Sequence, residues 1–182
     1  MAVTRDRILV RVGPARIGLG LIATRSIRRG ETIMRVEGRV VDHTVLWRRQ
    51  GTKFSANCLR YGPETYLDPG DGPGRYLNHS CDPTAGLRKL NNRLFLFAAK
   101  RIESGTEVTI DYSTTIGDDD IWTMRCKCGS RRCRKTICNL GSLTAQLKRS
   151  YVKRGLVPMY ILKTLNERIG LTPRVHASST TI

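Results

Sequence analysis

Apolar side chains fall in short bursts along most of this chain and adopt a helical period only near its end. Residues 7–12 alternate in character, and comparable bursts at 18–23, 31–36, 93–99 and 106–112 each predict a β-strand. Glycine-containing turns separate them at Gly13-Pro14, Arg29-Gly30 and Ser104-Gly105. Between Val45 and Tyr61 no period holds, which leaves a mixed insert. Residues 62–74 carry seven Gly and Pro with three carboxylates and predict a loop. In the last forty residues, Leu143, Leu147 and Tyr151 recur at i, i+4 and i+8, with Ser142 as the expected N-cap and Gly155 as the stop. A second helix is predicted from Pro158, with Leu162, Leu165 and Ile169 facing inward and Gly170 ending it. Residues 171–182, rich in Ser and Thr, are expected to fray. Many short strands, little helix and no internal repeat predict a β-rich domain followed by a helical pair.

A chain of 182 residues is long enough for one domain with a real core. No apolar run approaches the roughly 18 residues needed to cross a membrane, and residues 1–11 lack the apolar core of a signal peptide. A soluble protein of the cytoplasm or nucleus is therefore expected, with delivery into another cell by a non-classical route left open. Six cysteines could form disulfides, but Cys126 and Cys128, one residue apart, suit clustered thiolates on a metal better. Cys58 reads as an ordinary buried thiol.

Charge changes the picture more. The net charge of +17 is unevenly spread: 13 Lys/Arg against 4 Asp/Glu in residues 1–63, 6 against 10 in 64–120, and 13 against 1 in 121–182. An acidic middle between basic ends suits a groove for a basic peptide, flanked by surfaces that attract nucleic acid or another polyanion. A solvated Arg-rich surface with no partner accounts for the same numbers. Complementarity to the helix dipole also explains part of the crowding of Lys148, Arg149, Lys153 and Arg154 at a helix end.

Three motifs carry the candidate chemistry. Asn78-His79-Ser80-Cys81 comes first, then Glu107-Val108-Thr109-Ile110-Asp111-Tyr112, then Cys126-Lys127-Cys128-Gly129-Ser130-Arg131-Arg132-Cys133. The last group offers three thiolates that can converge on one tetrahedral ion, for which zinc is expected. Cys138, close after Cys133, could complete a self-contained four-cysteine knot. In this order and at these separations, the motifs resemble SET-domain protein-lysine methyltransferases with a cysteine-rich post-SET tail. Gly18-Leu19-Gly20-Leu21-Ile22-Ala23 is similar to the family's opening strands, where glycine lets the backbone approach S-adenosylmethionine. A plain tight turn would look alike.

The resemblance implies a mainly β fold of several small curled sheets: a SET domain over 7–113, a zinc-bound post-SET motif over 122–140 and a basic helical extension over 141–170. It implies that Gly18, Leu19, Gly20, Arg75, Asn78, His79, Tyr112 and Ile137 bind S-adenosylmethionine. It also implies that Cys81 joins Cys126, Cys128 and Cys133 on zinc, with Cys138 as the rival fourth ligand. Tyr112 is the implied catalytic residue, since methyl transfer from a sulfonium to an amine is an in-line displacement that needs alignment of a neutral lysine. His79 could instead be a satisfied core histidine, and Tyr112 a buried strand tyrosine. Asp111 reads as a turn-fixing residue rather than a base.

Phe54, Ile110, Asp118, Asp119 and Asp120 are implied on the substrate side. Ile110 stands where the family usually carries Phe or Tyr that helps set the number of methyl groups. The three aspartates would attract a basic tail, unless they are only a solvated loop. Val36, Arg39, Thr84 and Lys135 also depart from the family pattern, Lys135 standing where Gly is frequent. No cysteine precedes Cys58, so the cysteine-rich segment ahead of the domain in many chromatin enzymes has no counterpart, which leads us to expect a minimal, stand-alone enzyme. The expected function is methylation of lysine in a basic protein, such as a histone or a DNA-packaging protein. The alternative is a catalytically inactive zinc module held to nucleic acid by its basic flanks; cofactor titration separates the two. Small-molecule methyl transfer is disfavoured by the lack of an alternating βαβ pattern.

Overall fold

The computed structural model describes residues 8–49, 52, 57–116 and 122–163. Three small sheets form the body. In the first, β1 (Val10–Pro14) pairs antiparallel with β2 (Leu19–Ala23), and β10 (Glu107–Ile110) lies along the far side of β2. The two residues of β7 (Asn78–His79) then run parallel to β10, Asn78 opposite Thr109 and His79 opposite Ile110. The second sheet has the order β3 (Thr32–Val36), β9 (Arg93–Ala98), β8 (Ala85–Leu90). The third has the order β4 (Arg39–Asp42), β6 (Thr65–Asp68), β5 (Leu59–Arg60). In the tail, β11 (Met124–Arg125) and β12 (Thr136–Ile137) make a minimal ribbon.

The architecture is the mainly β fold expected, with local corrections, the first being that Gly13 and Pro14, expected in a turn, end β1 opposite Gly20 and Leu19. The predicted loop at 62–74 contains β6, because Tyr66 and Leu67 are buried opposite Val41 and Val40 and supply strand pairing between the Gly/Pro clusters. The insert begins with α1 (His43–Arg48), capped by Asp42 Oδ1 accepting from Thr44 N at 2.8 Å. The strand predicted to reach Tyr112 stops at Ile110: Asp111 caps a 3-10 turn over Tyr112–Thr114.

Period-2 alternation along β9 explains how one strand serves two cores. Leu94, Leu96 and Ala98 face the main core with Leu21, Ile27, Leu87, Ile102 and Val108. Phe97, with Ala99 just beyond the strand, faces a second cluster formed by Leu140, Leu143, Tyr151, Leu156, Val157 and Ile161. Three of these flank or lie in α2 (Ala145–Lys153), whose N-cap is Thr144 rather than the predicted Ser142; Ser142 instead bonds Asn139 Oδ1 through N and Oγ at 2.9 and 2.7 Å. Gly155 does end the helix. At φ +66° it donates to Val152 O while Leu156 N donates to Tyr151 O, closing the last turn as a Schellman motif. A second helix starts at 159 and is described to 163; Leu165, Ile169 and Gly170 lie outside the described residues. Among the described residues no helix is long and apolar enough to cross a membrane.

Candidate functional site

The parallel pairing of β7 with β10 brings the first two motifs into one knot. Ser80 N donates to Ile110 O at 2.8 Å, and Tyr112 N donates to His79 Nδ1 at 3.1 Å. The His79 ring is 5% exposed, and burial pulls its pKa down to about 4, despite the opposing Asp111 carboxylate. The imidazole is therefore neutral near pH 7. With Nδ1 accepting, the ring proton belongs on Nε2, which lies 3.3 Å from Cys81 Sγ and can donate to it.

Tyr112 packs its ring 5.3 Å from the His79 ring and donates its hydroxyl to Leu77 O at 2.9 Å. Burial, reinforced by Glu107, raises the phenol to about 12, so it remains protonated at neutral pH. Both residues line a cleft of about 450 Å³, together with Asn78, Glu107, Ile137, Met124 and the cations Arg16, Arg125 and Lys127. The Asn78 side-chain nitrogen commits both its protons beside it, donating to Leu19 O at 2.9 Å and Glu107 Oε1 at 2.8 Å. Gly20 makes that approach possible: a Cβ there would fall 2.7 Å from Ala15 Cβ and 3.0 Å from Asn78 Nδ2.

Ligand atoms of His79, Cys81, Cys126 and Cys128 all lie within 4.8 Å of one another, and His79 and Cys128 also line the cleft. Cys133 packs against the same cluster, its Sγ 4.0 Å from Cys126 O. Burial raises the Cys81 thiol to about 11. At Cys128 burial also raises the pKa, but backbone hydrogen bonds outweigh it and bring the thiol down to about 7. Cys138 is elsewhere, packed against the second apolar cluster with Phe97 and Leu140.

A family model described as SET domain matches residues 18–113, more than half of the chain. The chain belongs to the SET-domain family. It is 31% identical over 168 residues to "Histone-lysine N-methyltransferase, H3 lysine-36 specific" of Yarrowia lipolytica, covering 86% of this chain and 20% of that one. The chain thus spans about a fifth of that relative's length. The methyltransferase domain of human SETMAR has the same fold at a TM-score of 0.56 and 27% identity, covering 69% of this chain and 56% of that one. KRYPTONITE, solved in complex with mCHG DNA and SAH, superposes at 0.58 over 74% of this chain and 30% of its own at 24% identity, a likeness of fold alone.

Several residues singled out in the sequence of this SET domain lie away from the cleft. Arg75 pairs with Asp71 at 2.6 Å and stacks on Tyr76. Ile110 is sealed in the main core. Leu19 flanks the cleft through its carbonyl's contact with Asn78, and neither it nor Gly18 lines the cleft. Phe54, Asp118, Asp119 and Asp120 lie outside the described residues. Sequence reasoning missed Arg16, Glu107, Arg125 and Lys127 on the cleft, and two residues behind it. Arg134 grips the Asp111 carboxylate with both terminal guanidinium nitrogens, at 2.7 and 2.8 Å, and Tyr151 Oη donates to the same carboxylate at 2.7 Å. Arg134 directly follows Cys133, and that adjacency was the signal available for it; nothing in the apolar spacing of Tyr151 announces a polar role.

Proposed function

We propose that this chain transfers methyl groups from S-adenosylmethionine to lysine side chains of a basic protein, with Tyr112 as the catalytic residue and zinc as a structural metal. The observation that carries the reading is Tyr112 itself: a neutral phenol on the cleft wall, its proton committed to Leu77 O and its backbone held by His79. The cleft suits the cofactor in size, since small-molecule sites run from roughly 300 to 1,000 Å³. Ile17, Met124 and Ile137 offer apolar surface for a ring, Arg16, Arg125 and Lys127 suit a carboxylate, and Glu107 suits an ammonium.

The cofactor supplies a methyl group on a sulfonium. Because the Tyr112 hydroxyl donates to Leu77, its lone pairs are free to accept from a lysine amine or from polarised C–H groups. A phenol raised to about 12 is a poor base, so Tyr112 aligns the amine rather than deprotonating it. The incoming lysine, with a reference pKa of about 10.4, gives its proton to solvent more readily as burial and the cofactor's sulfonium charge disfavour the ammonium.

The thiol-rich donor set suits zinc in a closed site. Since the Nε2 proton of His79 points at Cys81 Sγ, His79 serves better as a donor to a bound thiolate than as a ligand, which leaves Cys133 to join Cys81, Cys126 and Cys128. A second reading has an observation of its own. Arg125, Lys127, Arg131, Arg132 and Lys135 are exposed on a tail without one acidic residue, a surface suited to a nucleic-acid backbone. It is compatible with catalysis on a substrate bound to nucleic acid.

The test is to incubate the purified protein with labelled S-adenosylmethionine and isolated basic chromosomal proteins, then sequence the labelled band. Tyr112→Phe is expected to cut transfer on the order of 100-fold while leaving the cofactor Kd within a few-fold. A protein that fails to bind S-adenosylmethionine in a titration is the inactive module instead.

A further inference from the structure

The buried network behind the cleft lies partly outside the residues 18–113 matched by the family model. Asp111 is 1% exposed, and four hydrogen bonds saturate its carboxylate. Oδ1 accepts from Arg134 Nη2 and Ser113 N, and Oδ2 accepts from Arg134 Nη1 and Tyr151 Oη. Arg134 also donates to Ser113 Oγ at 3.0 Å. Tyr151, likewise 1% exposed, places its hydroxyl 3.3 Å from Cys81 O as well. Both neighbours of this hydroxyl, a carboxylate oxygen and a carbonyl, only accept, so it acts as the donor. One hydroxyl on α2 therefore touches the residue before Tyr112 and the main chain of Cys81, a member of the thiol cluster. Neither Tyr151 nor Arg134 lines the cleft.

Asp111 has leverage over Tyr112 through the backbone. Its side chain caps the 3-10 turn that holds Tyr112, through Ser113 N at 3.0 Å, while its carbonyl accepts from Thr114 N and Oγ1 at 2.9 and 2.7 Å. A carboxylate free to swing would release that cap, and with it the angle at which the Tyr112 hydroxyl meets Leu77 O.

We propose that Tyr151 and Arg134 are positioning residues for Tyr112, acting through Asp111, so that the C-terminal helix is a working part of the site rather than an appended basic handle. The rate effect rests on the methyltransferase reading above; the positioning itself does not. Tyr151→Phe removes one hydroxyl and keeps the ring that packs the second cluster. Its kcat is expected to fall roughly tenfold, the size of one hydrogen bond to a charged group, with KM for cofactor and peptide within about twofold and zinc content unchanged. Hydrogen exchange at the Tyr112 and Ser113 amides should accelerate by a similar factor, ahead of exchange elsewhere in the chain. Leu156→Ala loosens α2 by an apolar cavity without touching Asp111. Assayed well below its melting temperature, it should keep a near-normal kcat and show faster exchange only within the second cluster.

Exchange decides the outcome. Unchanged exchange at Tyr112 and Ser113 in Tyr151→Phe overturns the proposal whatever the rate does. A loss of kcat in Leu156→Ala equal to that in Tyr151→Phe also overturns it, because general loosening would then suffice. If the wild-type chain transfers no methyl group, the proposed function fails, and the exchange comparison still tests the positioning.

Discussion

Two segments fasten onto the same short stretch of the SET domain, and they do so with opposite materials. The tail at 122–140 holds six Lys/Arg and no acid, pairs only two-residue strands, and buries little besides Cys126, Ile137 and Leu140. The segment at 143–161 buries Leu143, Tyr151, Leu156, Val157 and Ile161 against Phe97 and Ala99. At roughly 1.5–3 kcal/mol for each fully buried large aliphatic side chain, apolar transfer alone stabilises the second segment by several kcal/mol. By the same measure the tail has only Ile137 and Leu140, and its like charges oppose closure. The tail's order should therefore depend on metal, whereas the helix depends on packing. They meet at Asp111, which receives Arg134 from one and Tyr151 from the other.

Metal removal is expected to separate the two most sharply. Structural zinc in small finger peptides carries an apparent binding free energy of about 10–16 kcal/mol, more than any single packing contribution here. Chelation, or Cys126→Ser, should abolish protection of tail amides and weaken S-adenosylmethionine binding at least tenfold, because Cys128, Met124, Arg125 and Lys127 line the cleft. Protection around Leu156 and Ile161 should survive. Tail and helix losing protection together on chelation would show them to be one unit.

Single substitutions probe the same division with smaller effects. Arg134→Ala leaves a buried carboxylate without its cation and is expected to cost about 3–5 kcal/mol in thermal or denaturant unfolding, with zinc affinity also reduced. Leu156→Ala should cost about 2–5 kcal/mol by cavity formation, with zinc affinity untouched. Cys138→Ser, in the apolar cluster, should leave one metal ion per chain, whereas Cys81→Ser should not. A metal count that drops only in the Cys138 variant would move the fourth ligand out of the Asn-His loop.

What could be read beforehand follows from the range of each interaction. Strands β2, β3 and β9 were legible because their apolar bursts are local, and the family resemblance rested on short contiguous motifs. β6 was hidden because Gly and Pro flank it on both sides, and only its pairing with Val40 and Val41 makes it a strand. Tyr151 was read correctly as an inward residue, but its hydroxyl's partners lie 40 and 70 positions away, beyond any local pattern. Arg75 pairs with Asp71 four residues back, an exposed ion pair that sequence spacing alone does not announce. Thr84, a departure from the family pattern, has a physical account: its hydroxyl accepts from Thr109 N at 2.8 Å and bridges to the strand leading to Tyr112.

Lys135 gives the finest test of the comparison. It stands where the family resemblance expects glycine, its side chain is exposed, and its φ is +66°. A left-handed backbone costs a residue with a Cβ roughly 1–2 kcal/mol, and a glycine there would return roughly 0.5–1 of that through its freer unfolded chain. Lys135→Gly should thus stabilise the folded tail by no more than about 1 kcal/mol, a zinc affinity gain of at most about fivefold. The side chain contributes nothing that would offset it, since Lys135 acts here through its main chain, accepting from Cys126 N at 2.7 Å and donating to Cys133 Sγ at 3.4 Å. Where the gain appears matters more than its size. If metal alone orders the tail, chelated protein gains nothing from the substitution, because no folded tail remains to hold residue 135 in the strained conformation. A higher melting temperature for Lys135→Gly in the presence of chelator would mean that the tail keeps its turn without the ion, and that packing, not thiolate ligation, closes it.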